Sequence, residues 1–314
     1  MILCIAVPCY NEEAVLPETS KRLKEKMTAM IQAGIISEKS RVLFMDDGSK
    51  DRTWELISTY CAADPLFAGL KLAHNRGHQN ALLAGLMKAK EFADIVISMD
   101  ADLQDDIDAV DRFVEEYRKG ADIVYGVRSS RKKDTAFKRG TALAYYRILQ
   151  KMGVDIVYNH ADYRLMSKRA LNALAEFKEV NLFLRGIVPL IGFKTAVVEY
   201  ERNERFAGES KYPLKKMLAF AIDGITSFSV KPIRMITTLG FIIFLLSVAM
   251  LIYTIIVKII GRADSGWASI VCSIWMIGGI QLLSLGIIGE YIGKIYNETK
   301  ARPRYIIEEF LLSE

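Results

Sequence analysis

Two runs without a charged side chain, Met235 to Val257 and Ser265 to Gly289, constrain this 314-residue chain more than any other feature. A helix crosses the hydrocarbon core of a bilayer with about 20 residues, and each run is long enough. A pair of core helices in a soluble protein is the competing reading. The short polar link between the runs, KIIGRAD, favours a transmembrane hairpin. Basic residues near span ends set orientation. Lys215, Lys216, Lys231 and Arg234 precede the first run, and Lys294, Lys300, Arg302 and Arg304 follow the second. In the link, Lys258 and Arg262 are offset by Asp264. Both termini are therefore expected on the cytoplasmic side of the inner (cell) membrane, in a multi-pass arrangement with the link outside. The net charge of +5 crowds these flanks, which fits anionic lipid and argues against nucleic acid as a partner. The start, MILCIAVPCYNEE, has neither the basic beginning nor the apolar length of a signal peptide. Cys4, Cys9, Cys61 and Cys272 show no metal-site spacing and suit a reducing compartment.

The chain before these runs alternates two patterns. LCIAVPCYN, RVLFMDDGS, AGLKLAHN, ADIVISMDAD and ADIVYGVRSS read as five apolar strands. Between them, Glu13 to Ala33, a segment capped by Asp51 and ending at Ala62, GHQNALLAGLMKAKEF, and Asp105 to Lys119 read as helices. Such alternation predicts an α/β fold: a mostly parallel, Rossmann-like sheet covered on both faces. Ligands of these sheets bind beyond the carboxyl ends of the strands. The polar clusters CYNEE, DDGS, HNRGHQN, DADLQ and GVRSS all fall there. A solvated loop accounts for one such cluster but poorly for five. Further on, FKRGTALAYYRILQKM and SKRALNALAEF read as helices and FKTAVVEYERNERF as a strand. In YPLKKMLAFAIDGITSFSV, residues Leu214, Met217, Leu218, Ala221, Ile222, Ile225 and Phe228 share one face. With a membrane span beginning directly after it, this segment is expected to lie on the bilayer surface. The expected division is a cytoplasmic catalytic domain over 1–211, a juxtamembrane helix over 212–232, the hairpin over 233–290 and a cytoplasmic tail over 291–314.

SMDADLQDD, residues 98–106, concentrates four aspartates. On an extended segment Asp100 and Asp102 point the same way. Two carboxylates held close repel each other unless a cation lies between them. Hard oxygen ligands suit Mg²⁺ or Mn²⁺, and Mg²⁺ commonly takes one or two carboxylates plus substrate phosphates. The pair therefore predicts a divalent ion bridging to a phosphate-bearing substrate, with Gln104 as a further oxygen ligand. Asp105 and Asp106 are expected to cap the next helix. No G-x-G-x-x-G follows the first strand and no G-x-x-x-x-G-K-[ST] occurs, which disfavours a dinucleotide oxidoreductase and a P-loop nucleotidase. His74, His78 and His160 do not share a helix face and make a poor zinc set. His74 or His78 is expected to shape the pocket of that substrate instead.

VPCYNEE, MDDGSKD, NRGHQNALLAG, MDADLQ, ADYRLMSKRAL and RFAGESKYPLKKM resemble the family-2 glycosyltransferases of GT-A fold. The closing GGIQLLSLGIIGEYIGKIYNETKARPRYI resembles their polyprenyl-phosphate branch, the bactoprenol glucosyltransferases and, more distantly, the dolichol-phosphate mannose synthases. The resemblance runs in order along nearly the whole chain. It implies that Pro8, Tyr10 and Glu12 line the nucleotide pocket, and that Asp47 contacts the base with Met45 beside it. It implies that Asp100, Ala101, Asp102 and Gln104 hold metal and diphosphate, that Arg128 is a basic donor-side group, and that Asp162 is the catalytic carboxylate. Arg205 and Lys211 would belong to a loop that closes over phosphates.

The activity implied is inverting transfer of a hexose from a nucleotide sugar to undecaprenyl phosphate at the cytoplasmic face. UDP-glucose is the first expected donor, then UDP-N-acetylglucosamine and GDP-mannose. The acceptor phosphate, with a second pKa of about 6, is already largely ionised at neutral pH, so Asp162 need not act as a base. It could instead orient the acceptor or stabilise developing positive charge on the sugar ring. A processive polysaccharide synthase is disfavoured because Trp54, Trp267 and Trp275, the only tryptophans, lie in no Q-x-x-R-W context. A non-catalytic membrane scaffold recruiting a flippase or a downstream glycosyltransferase is the alternative from another class. Gly278, Gly279, Gly286, Gly289 and Gly293 permit close helix contact, and the resemblance implies a homo-oligomer.

Overall fold

The computed structural model describes residues 1–128, 160–201, 231–260 and 266–313. Strands β1 (Leu3–Cys9), β2 (Arg41–Asp46), β3 (Phe67–Leu72), β4 (Ile95–Ser98) and β5 (Ile123–Arg128) alternate with helices α1 (Leu16–Gln32), α2 (Thr53–Ala63), α3 (His78–Ala89) and α4 (Ala109–Arg118). Next come β6 (His160–Ser167), α5 (Lys168–Ala175), α6 (Leu184–Leu190) and β7 (Thr195–Tyr200). Two long helices, α7 (Lys231–Ile259) and α8 (Trp267–Lys300), precede a last strand, β8 (Ile307–Leu311).

The strands form one mixed sheet in the order β7-β5-β6-β4-β1-β2-β3-β8. β4, β1, β2 and β3 run parallel to one another, and β5 runs parallel to β7. β6 is antiparallel to both β4 and β5, and β8 is antiparallel to β3. Every residue of β1 is buried, as expected of a strand covered on both faces. Pro8 is tolerated in this central strand because the ladder to β4 ends at Ala6, opposite Ser98. One core packs Leu16, Leu23 and Met27 of α1 and Phe113 of α4 against one face. A second packs Leu82 and Leu86 of α3 and Leu171 and Leu174 of α5 against the other. At Gly85 of α3 an added Cβ would lie 2.5 Å from Met45 Sδ, so the glycine sets how closely the helix approaches the sheet.

Several expectations need correction. β4 ends at Ser98, so Asp100 and Asp102 stand on a turn and not on extended chain. Leu103 in that turn is left-handed, with φ 59°. α4 begins at Ala109, and Asp105 does not cap it; Asp106 accepts a 3.0 Å bond from the Asp108 amide ahead of the helix. The segment around Asp162 is a strand, β6, inserted between β4 and β5. The expected tail over 291–314 is not a separate unit: α8 continues to Lys300 and β8 joins the sheet at β3.

The run Met235 to Val257 lies within α7. Met276–Lys300 of α8 is long and apolar enough to cross a membrane by length and composition. The two helices line a groove through Ile236, Gly240 and Ile243 on one side and Ile277, Ile280 and Ser284 on the other. α8 closes on Ala301 in the left-handed region, φ 45°. The expected surface helix up to residue 230, the segment FKRGTALAYYRILQKM, and Arg205 and Lys211 lie outside the described residues.

Candidate active site

The pairing pattern places the carboxyl ends of β1 to β5 and β7 at one edge of the sheet, together with the amino end of antiparallel β6. Asp100, Arg128 and Asp162 are thereby gathered from segments far apart in sequence. The loops after β1 and β2 are laced together. Asn11 N donates to Ser49 Oγ at 3.0 Å, Lys50 N to Asn11 Oδ1 at 2.9 Å, and Glu12 N to Thr53 Oγ1 at 2.9 Å. Asp51 Oδ1 accepts from the Thr53 amide and hydroxyl at the start of α2. Gly48 has φ 67°, and a Cβ there would lie 2.6 Å from the Asn75 amide nitrogen. Only glycine lets the loops after β2 and β3 meet so closely.

The first aspartate of the D-x-D pair, Asp100, is engaged by His78, the first residue of α3, with Nε2 to Oδ1 at 3.0 Å. Both side chains are about two-fifths exposed. Burial lowers the His78 pKa, but the Asp100 carboxylate raises it more, so its net shift is upward. Burial conversely raises that of Asp100, and the His78 contact brings it below the ordinary value. Asp102 is buried and accepts a 3.1 Å bond from the Gln104 amide. Ala101, also buried, accepts from Thr19 Oγ1 at 2.8 Å through its carbonyl, which ties the turn to α1.

Asp105 is a buried carboxylate of the site's floor. Tyr200 donates to its Oδ1 at 2.6 Å, Arg128 lies 3.8 Å away, and Oδ2 has no hydrogen-bond partner among the described residues. Burial, and then the Asp100 charge, push this carboxyl up to about 6. Arg128 Nε lies 3.4 Å from the Tyr200 hydroxyl, so the three residues form one chain of contacts.

Asp162 enters on β6 next to the end of β4, where Ser98 Oγ donates to its carbonyl at 2.5 Å. Its carboxylate is gripped by two arginines. Arg164 Nη2 bonds Oδ1 at 2.7 Å, while Arg185 Nη2 bonds Oδ2 at 2.9 Å and its Nε reaches Oδ1 at 3.3 Å. Burial alone would raise the Asp162 pKa, but Arg185 and Arg164 outweigh it and hold the carboxyl far below the usual range. Asp162 is therefore a fixed anion and a weak proton acceptor. Arg164 is buried at 1% exposure, with its Nε and Nη1 lacking hydrogen-bond partners among the described residues. Arg185 keeps about a third of its side chain exposed.

Other expected residues fall in differing places. Pro8 is buried in β1, Tyr10 is exposed at 44%, and Glu12 is half-buried. Met45 is completely buried against Gly85 and belongs to the core rather than to a pocket wall. Asp47 is 3% exposed and accepts from the amides of Arg76 and Gly77 at 2.7 and 2.9 Å. In this structure it shapes the loop leading into α3. Sequence reasoning missed Arg164, Arg185, Asp105, Tyr200 and the contact of His78 with Asp100. A lone arginine inside the apolar stretch NLFLRGIVPL was the available signal for Arg185.

Among the described residues, no three of His, Cys, Asp and Glu are grouped to enclose a metal ion. Two carboxylates on one turn still fit a hard divalent ion that completes its shell with phosphate oxygens and water. They do not fit a closed zinc site.

The glycosyl transferase family 2 model matches residues 4–175, and the GtrB C-terminal hairpin model matches residues 231–295. The chain is 57% identical to the "Uncharacterized glycosyltransferase YkoT" of Bacillus subtilis (strain 168), over 100% of this chain and 93% of that protein. It is 39% identical to the "Bactoprenol glucosyl transferase" of Shigella phage SfX, over 98% of this chain and 99% of the relative. Among solved structures, a mannosyltransferase from Pyrobaculum calidifontis, in complex with GDP-Man and Mn²⁺, aligns over 94% of this chain and 84% of its own, at 15% identity and a TM-score of 0.47. Edge-gathered aspartates on an α/β sheet and the two family matches agree: the chain is a glycosyltransferase and belongs to glycosyl transferase family 2.

Proposed function

We propose that the protein transfers glucose from UDP-glucose to a polyprenyl phosphate, with inversion at the anomeric carbon, on the cytoplasmic face of the membrane. The observation that carries this reading is that sheet and apolar helices are one folded unit, since β8, just after α8, is paired to β3. A sugar-nucleotide site at the sheet edge is thereby tied to a helix able to cross a bilayer. Similarity to a bactoprenol glucosyl transferase along nearly the whole of both chains supports the same substrates.

Asp100 and Asp102, with Gln104 adjoining, would hold Mg²⁺ or Mn²⁺. The bound ion supplies charge neutralisation for the leaving diphosphate. The rest falls to the chain's own groups. The acceptor needs no base, because a phosphate monoester is largely ionised at neutral pH. An acceptor oxygen forms a bond to the anomeric carbon from the face opposite the nucleotide. The bond from that carbon to the diphosphate oxygen breaks, and the nucleoside diphosphate leaves with the electron pair. The partly exposed guanidinium of Arg185 is assigned to the acceptor phosphate, and the fixed charge of Asp162 holds it in place. Arg128 borders the donor side. Arg205 and Lys211 are assigned to the phosphates by family resemblance.

In this reading α7 and α8 form a two-span hairpin, with both termini cytoplasmic and basic flanks against anionic lipid. Holding the site at the lipid surface restricts acceptor orientation, a proximity effect. Purified full-length protein with Mg²⁺, undecaprenyl phosphate and, in turn, labelled UDP-glucose, UDP-N-acetylglucosamine and GDP-mannose tests it. Lipid-linked label from UDP-glucose is the expected result. Label from another donor alone replaces the sugar assigned here, and none from any donor overturns the proposal.

A further inference from the structure

A carboxylate in the last turn of a helix faces the negative end of the helix dipole and is disfavoured there. Glu298 occupies that position in α8. Its two oxygens are spent on the catalytic domain: Oε2 accepts from the Val180 amide at 2.8 Å, and Oε1 accepts from the Asn181 amide and Asn181 Nδ2, each at 2.7 Å. Asn181 Nδ2 also reaches the Lys294 carbonyl at 3.3 Å. Beyond the helix, Arg304 Nη1 donates to the carbonyls of Phe177 and Glu179 at 3.1 and 3.4 Å. The strap over 177–181 is thus held through its amides by α8 and through its carbonyls by the chain that follows.

That strap leads directly into α6, whose second residue is Arg185. The entry to α6 has a second tether, the Leu184 amide to Gln79 Oε1 at 2.8 Å. Gln79 neighbours His78, which touches Asp100. α6 is only 7 residues long and cannot fix its own position by helix formation alone. The placement of Arg185 over Asp162 therefore depends on where the strap is anchored, and much of that anchor is the end of α8.

We propose that Glu298 is a positioning residue: the end of α8 sets the strap over 177–181, and through it the alignment of Arg185 with Asp162. This deepens, and rests on, the transferase reading above. It makes the apolar hairpin part of the site's alignment as well as its attachment to the membrane.

The test uses the full-length protein in lipid nanodiscs, comparing wild type, Glu298→Gln, Glu298→Ala, Arg185→Ala and the Glu298→Ala/Arg185→Ala double variant. Loss of charge-assisted bonds should speed amide exchange at Val180 and Asn181 by about tenfold or more in Glu298→Ala. Glu298→Gln, which keeps one acceptor oxygen, should fall between, while amides of β1 stay as in wild type. Transfer should lose about tenfold in kcat with the donor KM kept, and the loss should vanish in the Arg185→Ala background, because both residues act through one alignment. Unchanged exchange at the strap overturns the proposal. So does faster exchange with unchanged kcat, or a kcat loss that simply multiplies with that of Arg185→Ala. A wild-type protein that transfers no sugar sinks the transferase reading instead; strap exchange then decides by itself whether Glu298 holds the segment.

Discussion

Replacing Asp162 by alanine should unfold this protein more readily before it says anything about chemistry. Arg164 is 1% exposed, and among the described residues the one side-chain hydrogen bond of its guanidinium is the 2.7 Å contact with Asp162. Deleting the carboxylate strands a buried guanidinium. Breaking a buried pair by removing one partner costs about 3–5 kcal/mol. The lower half of that range applies, because Asp162 itself keeps 16% of its side chain exposed. Arg185, about a third exposed, can turn towards water and adds little. For a domain of roughly 200 residues, about 3–4 kcal/mol lowers the melting temperature by about 10 °C. The pH dependence has a definite sign. The folded Asp162 pKa is depressed, so its contribution is fully present above the unfolded value of about 3.9 and fades as pH falls from there towards the folded value. The gap between wild type and Asp162→Ala should stay flat from about pH 5 to 8 and narrow below about pH 4. Thermal unfolding of the full-length protein in detergent, followed by circular dichroism, measures this. Asp162→Ala/Arg164→Met, which also removes the stranded charge, should recover most of the loss. A penalty under about 1 kcal/mol, or a double variant no more stable than Asp162→Ala, would refute the ion-pair argument.

Asp100 is two-fifths exposed, so Asp100→Ala should leave the melting temperature nearly unchanged. Transfer should fall by about a hundredfold or more, as when one preorganised charge-stabilising group is lost, and a chelator should abolish it in the wild type; labelled product measures both. Gly85→Ala gains about 1 kcal/mol of helix propensity but drives a Cβ to 2.5 Å from Met45 Sδ. Overpacking of about 1–3 kcal/mol should win, and in a Met45→Ala background the same change should stabilise, as urea titration would show. Tyr200→Phe removes the hydroxyl that donates to buried Asp105 at 2.6 Å. Since Asp105 Oδ2 already lacks a partner, a loss of about 1.5–3 kcal/mol is expected by the same titration.

What could be read from the order of residues, and what could not, divides along one physical line. β1 to β5 were legible because each is an apolar run bounded by turn residues, and each helix between them carries its own period. The edge location of the polar clusters followed, since parallel strands end together. β6 was not legible as a strand. ADYRLM carries Arg164 at its centre, and a buried arginine contradicts a strand pattern until its counter-charge is found two residues earlier at Asp162. β8, IEEFL, is short and shows no strand-like alternation, and its partner β3 lies more than 200 positions away in the chain. Asp105 read as a helix cap because its neighbourhood is acidic; its real partners, Arg128 and Tyr200, arrive from β5 and β7. Apart from Arg164, whose partner is two residues away on its own strand, the residues that escaped pair with groups from distant segments. That is also why they mark the site. A folded chain keeps a charge out of water only where a partner is brought to it, and here Asp105, Arg185 and Glu298 are each met by a group from another part of the chain, while Arg164 is met by Asp162 on its own strand. The charges that look misplaced in this sequence hold the site together: an arginine in a strand and another in an apolar stretch meet on Asp162 at the sheet edge, and a glutamate at the end of a long apolar helix holds the strap that leads to the second of them.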